Sequence, residues 1–381
     1  MNEPNEKIII YDGPFQLTHL PSGFIYKIWG EVAYSWTPKR RITFKSVKGN
    51  ISKYHWNNLE LLWDEWKGPV KNELTKGLFL KVKGEIESPV VLNKKTNCEK
   101  ISFDVPNLRN IGQYIIFKVG NYEVELSQRD NYTDLQQKLK AEGGYLNLYT
   151  GTLKKGGESI SFDEATDILE IFGNFLTFVN GYRTSAMFRR AAINYDLIWY
   201  DFTHYPLSEH KCISKLHLSS DRPTYSQLWL NFFNIYNRDK VFLKKLLDRY
   251  LDSISISGTV DDLISKAQSG LELLYNWLLV EQQNVKPKRG NAAEKIRSVL
   301  SEIKLNPAIS TSYHNLVEFV KNESKIEIKD GPSAIVYIRN PHIHPDKFSR
   351  DRDSKIDPKI KQEALDLAIS YLQLAIIYIL R

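Results

Sequence analysis

The chain has 381 residues, 42% of them hydrophobic and 25% charged, which is enough to bury a real core in two or three domains. Lys and Arg exceed Asp and Glu by 52 to 45, so a net charge of +7 and a pI near 9.0 permit a polyanionic partner without requiring one. Two cysteines, Cys98 and Cys212, fit neither a disulfide framework nor a zinc site, and the opening Met-Asn-Glu-Pro-Asn-Glu lacks a signal-peptide pattern. The expectation is a cytoplasmic protein.

Residues 7 to 149 read as short β-rich runs punctuated by Gly, Pro, Asn and Asp, for example Lys7–Tyr11, Phe24–Trp36, Arg41–Phe44 and Tyr114–Leu126. An aromatic cluster interrupts them: Tyr54, His55, Trp56, Trp63 and Trp66, ending before Gly68-Pro69. Spacings of seven and three predict a helix-like segment with the three tryptophans on one face. That face either packs on the β domain or offers a sugar or peptide platform.

After Lys154-Lys155-Gly156-Gly157, Ser161 and Glu164 have capping-box spacing. Ile168, Ile171, Phe172, Phe175, Leu176 and Val179 then predict a helix from about residue 161 to Asn180-Gly181. Residues 182–218 are strand-like, a connecting region or a second small sheet, and helical patterning resumes near Tyr225. Helices are then predicted at Phe242–Ile256, Asp261–Gln283, from an Asn291–Glu294 capping box to Ile303, at Ser312–Val320, Pro332–Arg339 and Pro358–Leu380. The fold class read from this order is α+β, with a β-rich domain at 1–155, a mixed connecting region at 156–238 and a helical domain at 239–381.

The last helix is apolar around nearly its whole circumference, which predicts burial on more than one side, the protomer core on one and a dimer interface on another. Its stretch from Ala364 to Leu380 carries Asp366 and Gln373 and is at the short limit for a bilayer, so no membrane anchor is expected.

Chemistry points to Tyr337-Ile338-Arg339-Asn340-Pro341-His342-Ile343-His344-Pro345. Arg339 and His344 are the one arginine and histidine in that order at a spacing of four to six. A fixed cation and a group that moves protons near neutral pH are what metal-free RNA cleavage needs. Pro341 and Pro345 disfavour helix in the residues before them, which predicts Asn340 and His344 in a loop or at a helix end. His342 is a second histidine there, and the spacing favours His344. Walker A, paired-Cys zinc, His-Glu-x-x-His and Gly-x-Ser-x-Gly patterns do not occur, which argues against an ATPase, a metalloprotease or an α/β-hydrolase.

The segment Ser161–Gly181, the Gly270-Leu-Glu-Leu-Leu274 stretch and Ile338-Arg-Asn-x-x-x-His344, in that order, resemble the HEPN ribonuclease superfamily, and within it bacterial anti-phage proteins of the ApeA type. The resemblance implies a C-terminal HEPN-like helical bundle cleaving RNA without metal or cofactor in abortive infection. Arg339 would bind the phosphate, His344 would transfer the proton and Asn340 would orient, with His342 and Glu272 supporting, the latter by an ion pair to Arg339. It also implies a homodimer with a composite site, a phage-derived trigger sensed by the N-terminal domain, and tRNA among the candidate substrates. Lys286, Lys288 and Arg289 in one loop and Lys347, Arg350 and Arg352 after the motif are the candidate RNA rim, diluted in the second cluster by Asp346, Asp351 and Asp353. The competing reading is a silent HEPN dimerisation or binding module whose N-terminal domain holds a protein or carbohydrate.

Overall fold

Alternating apolar and polar residues place the first strands around one core. β1 (Ile8–His19), β2 (Phe24–Ser35), β3 (Arg41–Lys48), β4 (Leu59–Trp63), β5 (Trp66–Glu73) and β6 (Lys83–Ile86) close a barrel in the order β1-β2-β3-β6-β5-β4. The structure is a computed structural model and describes the chain except for residues 50, 56–57, 64–65, 74–82, 87–90, 93–96, 194–195, 211–224, 288–290, 323–327, 344–353 and 355. It divides into two compact units, Met1–Cys212 and Ile213–Arg381.

The barrel corrects the reading of the tryptophan cluster. A short 3-10 turn at Lys53–His55 is followed by Asn58 at positive φ, and Leu59–Trp63 is then a strand in which Leu59, Leu61 and Trp63 are buried in alternation. Trp63 pairs across the ladder with Trp66. A period of two was present in Leu-Glu-Leu-Leu-Trp, and the tryptophan spacing, which suits a helix equally well, masked it. Trp63 belongs to the barrel core with Phe15, Leu17, Val32, Tyr34 and Phe44, which is the packing reading; Trp56 lies outside the described residues.

β7 (Val91–Leu92), β8 (Lys100–Pro106), β9 (Tyr114–Val119), β10 (Tyr122–Gln128), β11 (Asn147–Lys155), β12 (Met187–Ile193) and β13 (Asp196–Asp201) form a second sheet in the order β7-β13-β12-β8-β11-β10-β9. The strand-like region after residue 182 is therefore no separate small sheet: β12 pairs antiparallel with β8, strands more than eighty residues apart in sequence. Met187 and Phe188 of β12 also enter the barrel core, so a break after residue 155 would cut through shared packing.

Helix α1 (Tyr132–Glu142) is short, and α2 (Phe162–Asn180) is the element best encoded locally. Ser161 accepts from the Glu164 N–H while Glu164 reaches back to the Ser161 N–H, the predicted capping box. Gly181 ends the helix at φ 79°, a left-handed residue that glycine adopts without Cβ strain. Phe172 and Phe175 pack edge-on to Phe117 at 5.2 and 5.7 Å, which seats α2 on the sheet.

The second unit contains α3 (Tyr225–Arg238), α4 (Lys240–Ser253), α5 (Val260–Leu274), α6 (Ala292–Glu302), α7 (His314–Asn322), α8 (Gly331–Ile343) and α9 (Pro358–Ile379). α5 continues as a π-helical turn over Tyr275–Glu281. The sequence between α5 and α6 was expected to restart in a capping box; Asn291 instead caps the Ala293 N–H at 3.0 Å without Glu294. α9 is the central helix, packed against α4, α5, α6, α7 and α8. Five neighbours account for its apolar circumference within one protomer, so that circumference does not call for a dimer interface; Leu374 is its exposed large aliphatic residue, 45% accessible. Among the described residues no helix is long and apolar enough to cross a membrane.

Candidate functional site

Arg339 lies near the C-terminal end of α8, and the helix does not stop there. It runs on through Asn340 and a buried Pro341 to Ile343, so the expected end at Arg339 is corrected. Proline removes the hydrogen bond its N–H would give to the carbonyl four residues back, here Tyr337, and packing of the buried ring outweighs that loss. Asn340 is thus half-buried in the last turn of α8, the helix-end alternative of the two expected for it.

The start of α8 is fixed by charge. Asp330 accepts from the Ser333 N–H at 2.9 Å and is gripped by Arg297 of α6, Nε at 2.5 Å and Nη2 at 3.1 Å. Burial alone would push the Asp330 carboxyl up, but the Arg297 and Ser333 hydrogen bonds outweigh it and hold it below the usual carboxylate range.

Arg339 is positioned by a chain of side chains on α5. Its Nε donates to Gln268 Oε1 at 2.8 Å, Gln268 Nε2 donates to Glu272 Oε1 at 2.8 Å, and Lys295 Nζ of α6 meets Glu272 Oε2 at 3.0 Å. Gln268 is 2% exposed, and its i,i+4 offset from Glu272 puts both on one face of α5. Glu272 was expected to pair directly with Arg339. It pairs with Lys295 and reaches Arg339 through Gln268, because a glutamine one turn earlier fills the intervening space.

Burial draws the Arg339 guanidinium down from its ordinary range, and the Glu272 carboxylate opposes the shift. Burial likewise pushes Glu272 up, but the bonds from Gln268 and Lys295 and the charges of Lys295 and Arg339 win and hold it low. Arginine remains a cation at neutral pH. Among the described residues its Nη1 and Nη2 have no acceptor, and the outer fork of a guanidinium is the geometry that holds an anion in a bidentate way.

Gly270, between Gln268 and Glu272, lets α9 close on α5: a Cβ there would lie 3.0 Å from both Leu372 methyl carbons. The Gly270–Leu274 stretch therefore serves helix packing as well as carrying Glu272. Gln268 and Lys295 were not picked out from the sequence; the only available signal was the Gln268–Glu272 spacing on a helix of known apolar face.

The remaining predicted residues are placed less fully. His342 is in the last turn of α8, and Lys286 is exposed in the loop beyond the π-helical turn. His344, Lys288, Arg289, Lys347 and Arg350 lie outside the described residues, as does Cys212, while Cys98 is a buried free thiol that burial pushes upward. Among the described residues no group of three or more His, Cys, Asp or Glu could hold a metal ion.

No curated protein and no solved structure matches the chain. Two family models do match it: residues 93–213, which span the second sheet apart from β7 together with α1 and α2, match the YopA central domain, and residues 237–381, from the end of α3 onward, match the YopA C-terminal domain.

Proposed function

We propose that the chain is a metal-independent endoribonuclease of HEPN type, with Arg339, Asn340 and His344 as its working residues and abortive infection against phage as its role. The observation that carries the reading is Arg339 itself: a half-buried guanidinium held at Nε by the Gln268–Glu272–Lys295 chain while its outer fork has no described acceptor. Burying a cation is costly, and a purely structural arginine usually recovers that cost by filling its donors.

In the proposed reaction the RNA 2'-oxygen bonds to the adjacent phosphorus and the P–O5' bond breaks, leaving a 2',3'-cyclic phosphate and a 5'-hydroxyl. His344 takes the 2'-hydroxyl proton, and an imidazole of the second protomer in a homodimer returns one to the leaving oxygen. The Arg339 fork neutralises charge that grows on the phosphorane, and Asn340 orients the imidazole or the sugar. Lys286, Lys288, Arg289, Lys347 and Arg350 form the RNA rim. The β-rich first unit senses the trigger.

The same side-chain chain would also stabilise a silent bundle, and Pro341 inside α8 is the observation favouring that second reading. Expression of wild type, Arg339→Ala and His344→Ala in cells, with and without phage, separates the two. Growth arrest and RNA fragmentation by wild type alone support the nuclease. Intact RNA with all three folded and dimeric supports the silent module.

A further inference from the structure

The second unit contains a cleft unconnected with the motif in sequence. It measures about 800 Å³ and lies between the end of α3, the π-helical turn and the end of α9. That volume suits a small-molecule ligand. Its lining includes two guanidinium side chains, Arg238 and Arg381, three carboxamides, Asn231, Asn234 and Gln282, and the rings of Trp277 and Tyr378, with no carboxylate side chain.

The groups are arranged, and the π-helical turn arranges them. The Gln282 N–H bonds to the Trp277 carbonyl at 3.0 Å, five residues back, which widens the turn at the cleft wall. Trp277 is fixed on three sides: its ring stacks on Phe242 at 4.2 Å and 4°, its Nε1 donates to Asp239 at 3.1 Å, and Arg238 lies over its ring at 5.2 Å. The indole thereby locates the Arg238 guanidinium, whose N–H groups have no acceptor among the described residues. Tyr378 is 37% exposed and leaves part of its ring uncovered.

Two guanidinium forks, with the main-chain carboxylate of Arg381 as the single opposing charge in the lining, leave the cleft net positive and suit the geometry of a phosphate anion. The exposed Tyr378 ring and the carboxamides call for a planar group with a polar edge. We propose that this cleft binds a nucleoside diphosphate or triphosphate, its phosphates between Arg238 and Arg381 and its base against Tyr378. The proposal stands whether or not the chain is a nuclease.

The test is calorimetric titration of the full chain with ADP, adenosine, pyrophosphate and a short single-stranded RNA lacking a terminal phosphate, repeated with Arg238→Glu and Tyr378→Ala. Arg238 is exposed, and thermal unfolding of each variant verifies that it folds. The expected result is that ADP binds more tightly than adenosine or pyrophosphate. Arg238→Glu should weaken ADP binding at least about tenfold, as loss of a charge-assisted contact requires. Tyr378→Ala should weaken ADP but leave pyrophosphate unchanged. The proposal is overturned by no ADP binding, by pyrophosphate binding as tightly as ADP, by ADP binding indifferent to both substitutions, or by RNA alone binding in an Arg238-dependent way.

Discussion

Replacing Gln268 by leucine isolates the link that holds Arg339 in place. Leucine keeps most of the buried volume at a side chain 2% exposed, so little of the effect is a cavity. It removes the acceptor of the Arg339 Nε and the donor to Glu272 Oε1, both 2.8 Å bonds to charged groups. A hydrogen bond to a charged group is worth about 1.5–3 kcal/mol, but Arg339 is half-buried and the Glu272 side chain 28% exposed, so water recovers part of each. The expected loss is about 2–3 kcal/mol by urea denaturation of the full chain, with the slope unchanged. Combined with Arg339→Met in a double-mutant cycle, the two effects should overlap by about 1–2 kcal/mol. Additivity within about 0.5 kcal/mol would refute the claim that Gln268 positions Arg339.

Gly151→Ala should lower the thermal midpoint sharply, at a cost of about 1–3 kcal/mol or more, since its Cβ would sit 2.3 Å from the Phe103 ring and 2.8 Å from Leu126 Cδ2. Ser161→Ala removes one half of the α2 capping box and should cost about 1 kcal/mol in the same thermal assay. Asp330 has a depressed pKa when folded, so its contribution is present above its unfolded value near pH ~3.9 and fades as pH falls through the folded value. Arg297→Met should therefore be less stable than wild type by about 1–2 kcal/mol at neutral pH, with the gap closing in acid below about pH 4. A gap of constant size down to about pH 2 would show that the Arg297–Asp330 pair is not its source.

What the sequence made legible was local. The capping box at Ser161 and the apolar period after it set α2 to within a residue, because both signals act inside one turn. The closed barrel and the pairing of β12 with β8 depend on partners far apart in sequence, which no local period records. Leu59–Trp63 was misread because widely spaced tryptophans outweighed the alternation between them. At the site, Arg339 and Glu272 stood out by residue type, whereas Gln268, which joins them, is an ordinary polar residue until the helices are packed. Pro341 was a true signal of local cost overridden by burial.

Arg339, as the phosphate-binding cation, is the residue on which the proposed metal-free ribonuclease activity depends most. The direct measurement is incubation of purified full-length protein with total RNA in excess chelator, followed by end-group analysis of the fragments. Wild type should yield 2',3'-cyclic phosphate and 5'-hydroxyl ends, and Arg339→Ala and His344→Ala, confirmed folded and dimeric, should lose about a hundredfold or more of that activity. Cleavage undiminished in both variants, or intact RNA from an active-trigger lysate that arrests growth, would contradict it.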